Sequence, residues 1–381
     1  MLPCDRQPID HVGLSSDNAS NVTAHWELTN ELTYGPQLEF PQSAANFPYD
    51  SPRFPSHIVS RTLKSPPAGI SGAGSDPPEL NITLLCATTT HQLMESALNR
   101  FTLVLHCPNV IGIVYRVSKF LFDRQANITE SAQYDDEDSD RFFMRVTFDL
   151  PQSTDTTDTL SDAFSLIATS FDMQASFHAE SEHPRVLILA SQWTHCLADL
   201  LQRYSSGELN VEIVGILSNH TGQAAELASQ HNVPFEHLDI DVSGKAGAER
   251  RILSIMAERG VDLAVLARYM QILSDDFCQQ APCPVINIHH SFLPSFKGAR
   301  PYHQAFARGV KIVGATAHYV TADLDEGPII EQDVARVNHA MDSKGLVEIG
   351  RDLEKTVLAR AVKLHIRHRV LPNGPRTVVF A

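Results

Sequence analysis

The feature that most constrains this chain is a run of short apolar segments, each followed by a helical one, after residue 184. Val186–Ala190, Val211–Ser218, Asp262–Ala267 and Val285–His289 are apolar almost throughout and too short to be helices. Continuous rather than alternating hydrophobicity is how a strand reads when both of its faces are covered. Between them, Gln192–Tyr204, Gln223–His231 and Ala246–Arg259 carry helical spacing. Strand and helix in turn predict an α/β domain, doubly wound around a mostly parallel sheet. Lys311–Thr321 and Ile329–Val337 read as two longer, alternating strands. Lys344–His368 closes the pattern as an amphipathic helix, with Leu353, Val357, Leu358 and Ala361 on one side.

His183-Pro184 separates this domain from a smaller pattern. Phe101–Cys107 reads as a strand, and Pro108–Gly112 as a turn opening a helix through Val114, Val117 and Leu121. Asn127–Tyr134 and Arg141–Leu150 read as strands joined by the acidic turn Asp135–Asp140, a solvated hairpin tip. A helix over Thr159–Ser170 and a strand over Met173–Ala179 complete a ferredoxin-like β-α-β-β-α-β order. Further upstream the texture changes. The first 80 residues hold 11 of the chain's 22 prolines, with many Ser and Asn and no sustained periodicity. Such a segment buries too little apolar surface to offset the entropy of ordering it. Residues 1–97 are therefore expected to be a disordered or non-native extension, and 1–93 to contribute nothing to an active site.

Charge and cysteine usage exclude several classes. With 30 basic and 45 acidic side chains the net charge is −15, which argues against a nucleic-acid or anionic-membrane partner. No apolar run approaches the ~18 residues that span a bilayer. The six cysteines include no CxxC pair, so neither a zinc knuckle nor a redox dithiol is indicated. The start, MLPCDRQPID, has no basic n-region and no apolar h-region. A reducing compartment, the cytoplasm by default and the mitochondrion as the alternative, is the expectation.

Chemistry is expected at the carboxyl ends of the parallel strands. Asn287 and His289 end one strand, and residues two apart share a face. After the strand Lys311–Thr321 comes the polar loop Ala322-Asp323-Leu324-Asp325-Glu326-Gly327-Pro328. An amide donor, an imidazole and a carboxylate suit acyl transfer: the amide meets a developing oxyanion, the imidazole moves a proton and the carboxylate orients it. Spacing alone is a weak signal for this.

NIHHSFLPSFKGARPYHQAF and GATAHYVTADLDEGPII together resemble the formyl transferase family. The resemblance covers about 184–379 and implies a Rossmann-like formyl transferase domain that uses 10-formyltetrahydrofolate. It implies Asn287, His289 and Asp325 as the catalytic triad. It also implies a pterin cleft lined by Arg268, Met270, Gln271, Ile272 and Leu273, and on the Asp-bearing loop by Thr321, Leu324 and Gly327. For Met270, Ile272 and Leu273 plain core packing is the competing reading. The β-α-β-β-α-β module resembles an ACT domain, which gives the division 1–97 extension, 98–182 ACT-like domain and 184–381 catalytic domain.

Within the family the features point to the branch in which water accepts the formyl group. His290 stands where amine-formylating relatives usually carry another residue. The Ala190–His195 loop lacks the glycines with which those relatives cradle a substrate phosphate. No cofactor is implied, since the folate is the substrate. The product formate would feed purine biosynthesis and balance the one-carbon folate pools. An amino-acid effector at the ACT-like module and a homo-oligomer are further implications.

Three other readings compete. One passes the formyl group to an amine. Another draws His289, His290, His303, His318 and Asp325 as metal ligands, although no HExxH-like spacing supports it and His318 is expected to pack beside the site instead. The last is a non-catalytic sensor.

Overall fold

The computed structural model describes residues 99–150, 154–293 and 301–381. The extension expected over 1–97 lies outside the described residues, as do residues 294–300.

The N-terminal module is built from β1 (Asn99–Pro108), α1 (Ile113–Asp123), β2 (Asn127–Asp136), β3 (Arg141–Leu150), α2 (Thr157–Ser170) and β4 (Gln174–Ala179). Its strands pair antiparallel in the order β2-β3-β1-β4, the ferredoxin-like arrangement. Period-2 alternation puts Phe101, Leu103, Leu105 and Cys107 on one face, buried with Val117, Leu121 and Phe164 of the helices.

The larger domain runs β5 (Arg185–Ala190), α3 (His195–Ser205), β6 (Glu212–Ser218), α4 (Gln223–Gln230), β7 (Phe235–His237), α5 (Ile240–Glu258), β8 (Leu263–Ala267), α6 (Asp275–Gln280) and β9 (Val285–His289). It continues with α7 (Pro301–Arg308), β10 (Ile312–Tyr319), β11 (Ile329–Arg336), α8 (Ser343–Ile366), β12 (Val370–Asn373) and β13 (Arg376–Val379). The seven-stranded sheet has the order β11-β10-β9-β8-β5-β6-β7. From β9 to β7 the strands are parallel, while β10 and β11 are antiparallel additions. The α/β fold class is thus as the apolar segments predicted. Val186, Ile188, Val265 and Ile286 face one helical layer, with Leu358 and Val362 of α8. Leu187, Leu189 and Leu266 face the other, with Ile252 and Met256 of α5.

The differences from the sequence reading are local. The helix expected from Ala246 starts at Ile240, where the Asp239 side chain accepts from the Val242 N–H. Gly244, at φ 67°, breaks it before Ala246, so periodicity caught only the second part. The helix expected from Gln192 starts at His195. β7, α6, α7 and the β12–β13 hairpin were not anticipated, because segments of three to eight residues carry too few apolar positions to display a period.

The hairpin covers the second face of β3. Leu371, Val378 and Phe380 pack on Phe143, which is fully buried. Arg145, also on that face, pairs with Glu130 at 2.8 Å, and Glu130 pairs in turn with Arg369 at 2.8 Å.

Candidate active site

β9 ends in the middle of the sheet, flanked by β8 and β10. Ile288 points into the core, while Asn287 and His289 share the opposite face and line one cleft of about 890 Å³. The chain beyond His289 is pinned by the buried Thr316 hydroxyl. It donates to the Ser291 carbonyl at 2.9 Å and accepts from the Leu293 N–H at 3.1 Å.

Asp325 reaches the same cleft from the loop after β10. Its Oδ2 lies 3.1 Å from His289 Nδ1. The loop's tight return depends on Gly327, where a Cβ would sit 1.8 Å from the Tyr319 carbonyl oxygen. Burial works against ionising Asp325, but the hydrogen bond and charge of His289, with the His318 ring 3.7 Å away on its other oxygen, outweigh it and hold its carboxyl well below the usual carboxylate range. With Nδ1–H committed to Asp325, His289 turns Nε2 into the cleft, where this buried atom has no hydrogen-bond partner among the described residues.

His318 packs beside these groups, as expected. Its Nδ1–H donates to the Tyr319 carbonyl at 2.9 Å, so Nε2 accepts from Asn287 Nδ2 at 3.2 Å. That bond fixes the orientation of the Asn287 amide and leaves its second N–H free to meet another acceptor.

The Arg268–Leu273 segment forms the next wall. Arg268 (φ 64°) and Met270 (φ 62°) are left-handed, which turns Tyr269 into the core and Met270 out to the cleft. Asp325 is left-handed too, at φ 57°. Such backbone costs about 1–3 kcal/mol per residue and persists where the surroundings impose it, commonly at functional sites. Ser274 anchors the far end of the segment, its N–H and hydroxyl both donating to Glu249.

Met270 and Ile272 are more than half exposed, so core packing is not their role, whereas Leu273 is buried at the cleft margin. With Leu324 and Trp193 they give the cleft apolar walls that a flat aromatic ligand could fill. Gln271 and Thr321 line it as well. Gly327 is not among the lining residues, and its structural reason is the close approach to Tyr319.

Sequence reasoning missed the opposite wall. Glu354 of α8 is 1% exposed and takes His195 Nε2 at 2.7 Å, the Tyr302 hydroxyl at 2.8 Å and Arg268 Nε at 3.3 Å. Burial opposes its ionisation, yet these partners keep its pKa below the ordinary value. Gly350, one helical turn earlier, makes room for this cluster, since a Cβ there would lie 2.1 Å from the Tyr302 ring. A signal existed: Glu354 interrupts the apolar face formed by Leu353, Val357 and Leu358.

His195, Cys196 and Glu354 have ligand atoms close enough for a metal ion. Burial keeps the Cys196 thiol protonated, and Arg268 already occupies the carboxylate, so the donor set suits an ion cluster better than a cation. His290 sits between the two walls, its ring 5.2 Å from His289 and 6.3 Å from Tyr302. Burial, with the charges of Arg268 and His289, pushes it down to about 4, so it is neutral at pH 7.

Comparison with known proteins gives this fold and cleft a class. A family model described as formyl transferase matches residues 184–362. A formyltetrahydrofolate deformylase of Bacillus subtilis is 47% identical over 279 residues, which is 73% of this chain and 93% of that protein. Two crystal structures of formyltetrahydrofolate deformylases are also similar. The one from Pseudomonas syringae has TM-score 0.72 and 43% identity, covering 77% of this chain and 98% of that one. The one from Burkholderia mallei has TM-score 0.69 and 49% identity, covering 74% and 100%. The chain belongs to the formyltetrahydrofolate deformylase family.

Proposed function

We propose that the chain hydrolyses 10-formyltetrahydrofolate to tetrahydrofolate and formate, with Asn287, His289 and Asp325 as the reacting groups. The observation that carries the assignment of these residues is the arrangement of His289, with Nδ1 on Asp325 and Nε2 facing the cleft beside the Asn287 amide. The pterin lies along Met270–Leu273 and Thr321–Leu324, and the formyl group points at His289. The free Asn287 N–H and the Nε2–H of the His289 imidazolium donate to the formyl oxygen as it becomes an oxyanion. Asp325 orients the attacking water and offsets the imidazolium charge. The leaving N10 needs a proton, which His289 supplies directly or through water. No step calls for a cofactor.

Incubation with 10-formyltetrahydrofolate under anaerobic conditions, following formate and tetrahydrofolate, tests the reaction. Formate is expected one for one with tetrahydrofolate, without any amine acceptor and after exhaustive chelation. A strict requirement for an amine would overturn the hydrolytic reading. The amine-transfer alternative is less supported, because the relatives similar over most of the chain bear the name of the deformylase.

The N-terminal module supports a regulatory role through its topology and its exposed Pro108–Gly112 turn, where Gly112 (φ 99°) caps α1. It is proposed as ACT-like, taking an amino acid at that turn or pairing with a second copy. Calorimetric titration with the common amino acids tests the first role, and sedimentation tests the second. No described helix is long and apolar enough to cross a membrane.

A further inference from the structure

Hydrolysis of a formamide creates a charge that passage of the formyl group to an amine does not. Water adds to the formyl carbon, and the C–N10 bond then breaks with its electron pair on N10, which takes up a proton. Formic acid loses its proton to water, so each turnover leaves one formate and one H⁺. That anion appears in a cleft already lined by the carboxylates of Asp323, Asp325 and Glu354. The cationic Lys and Arg side chains among the described lining residues are Arg268 and Arg351. Arg351 stacks on the cleft wall, its guanidinium carbon 4.6 Å from the Trp193 ring centroid.

Arg268 is placed to meet the anion. In the β8–β9 register Leu266 stands beside Asn287. Arg268 follows just past the end of β8, and it lines the same cleft as His289. Its side chain is 11% exposed, and Glu354 lies 3.3 Å from its Nε. The buried Nε and Nη1 atoms nevertheless make no hydrogen bond among the described residues. A buried donor without an acceptor is costly and calls for an explanation. A guanidinium presents a planar fork that matches a carboxylate, and formate is the smallest carboxylate.

We propose that the Arg268 guanidinium is the formate subsite: it receives the product carboxylate beside His289, while Glu354, His195 and Tyr302 hold the guanidinium in place. This rests on the deformylase reading and changes the expected role of Arg268 from pterin wall to product site.

The test uses the full chain and [¹³C]formate as the probe, read by NMR titration and, separately, as product inhibition of turnover. Arg268→Gln is expected to weaken formate binding about tenfold or more, the factor given by losing one charge-assisted hydrogen bond. The KM for 10-formyltetrahydrofolate is expected to change by a smaller factor than the formate affinity, because Met270, Ile272 and Leu324 of the pterin walls are untouched. Arg268→Lys keeps the charge and loses the fork, and is expected to fall between the two; should the Gln variant fail to fold, this variant decides. Wild-type formate affinity in either variant overturns the proposal, as does a tenfold rise in folate KM with formate binding unchanged. The NMR arm is independent of catalysis. Formate binding lost in Arg268→Gln, in a wild type that does not turn over, would support the subsite and count against the reaction alone.

Discussion

Asp325 and Glu354 bring two carboxylates to one cleft, each against an imidazole, and the two walls they organise differ in one respect. Asp325 stands on a loop in left-handed backbone and engages one nitrogen of His289, whose other nitrogen faces the cleft without a partner among the described residues. Glu354 sits mid-helix, and both its oxygens are taken, by Tyr302 on one side and by His195 and Arg268 on the other. The same pair of functional groups is therefore open on one wall and closed on the other. What makes a carboxylate–imidazole pair reactive is the ring nitrogen it leaves without a partner, not the pair itself.

Breaking the closed wall has the largest expected effect. Glu354→Ala leaves Arg268 buried without a counter-charge, and removing one partner of a buried ion pair costs about 3–5 kcal/mol. Denaturant unfolding should show this as a lower midpoint. The open wall should respond in turnover: Asn287→Ala leaves the melting temperature close to wild type while kcat falls about 10²–10³-fold, the usual cost of losing an oxyanion donor, and Asp325→Ala lowers kcat as well because His289 loses the group that orients it. Turnover near wild type in either variant would remove the triad assignment, and a large stability loss would erase the contrast between the walls.

Acid sharpens the comparison. Both carboxylates have pKa values held below their ordinary ones, so the stability they contribute is present above those ordinary values and is lost only as pH falls through the depressed ones. His290, between the walls, works the other way. Its folded pKa is about 4, so from about 6.5 down to 4 the unfolded chain binds a proton that the folded chain does not, and stability falls with pH in that window. Melting temperature measured from pH 7 to 4.5 should decline more gently in His290→Gln; an unchanged slope would contradict the burial of a neutral ring.

Gly350→Ala is a smaller intrusion. The added methyl meets the Tyr302 ring and presses it off Glu354, for about 1–3 kcal/mol of overpacking, readable as a lower melting temperature. The smallest effect is expected from a chain that begins at Met94. Away from buried features, changes usually stay within about 0.5 kcal/mol. Deformylase activity and melting temperature are expected to match the full chain, and a loss above ~2 kcal/mol would show that the first 93 residues pack on the core.

Much of this molecule is legible in its residues. The apolar runs Val186–Ala190, Asp262–Ala267 and Val285–His289 point to a parallel sheet, because strands covered on both faces read as near-continuous apolar runs rather than alternating ones. The spacing of Asn287 and His289 determines that they share a face at a strand end, since side-chain direction alternates with a period of two. Tertiary structure alone decided what meets them. Asp325 lies 36 positions beyond His289, and Glu354 lies 159 beyond His195. No local period relates residues so far apart; crossovers of the chain and packing of α8 against the sheet bring them together. The β12–β13 hairpin folds back onto β3 for the same reason: its apolar side chains match a half-covered face more than 200 residues upstream, a complementarity of surfaces that exists only once both have formed.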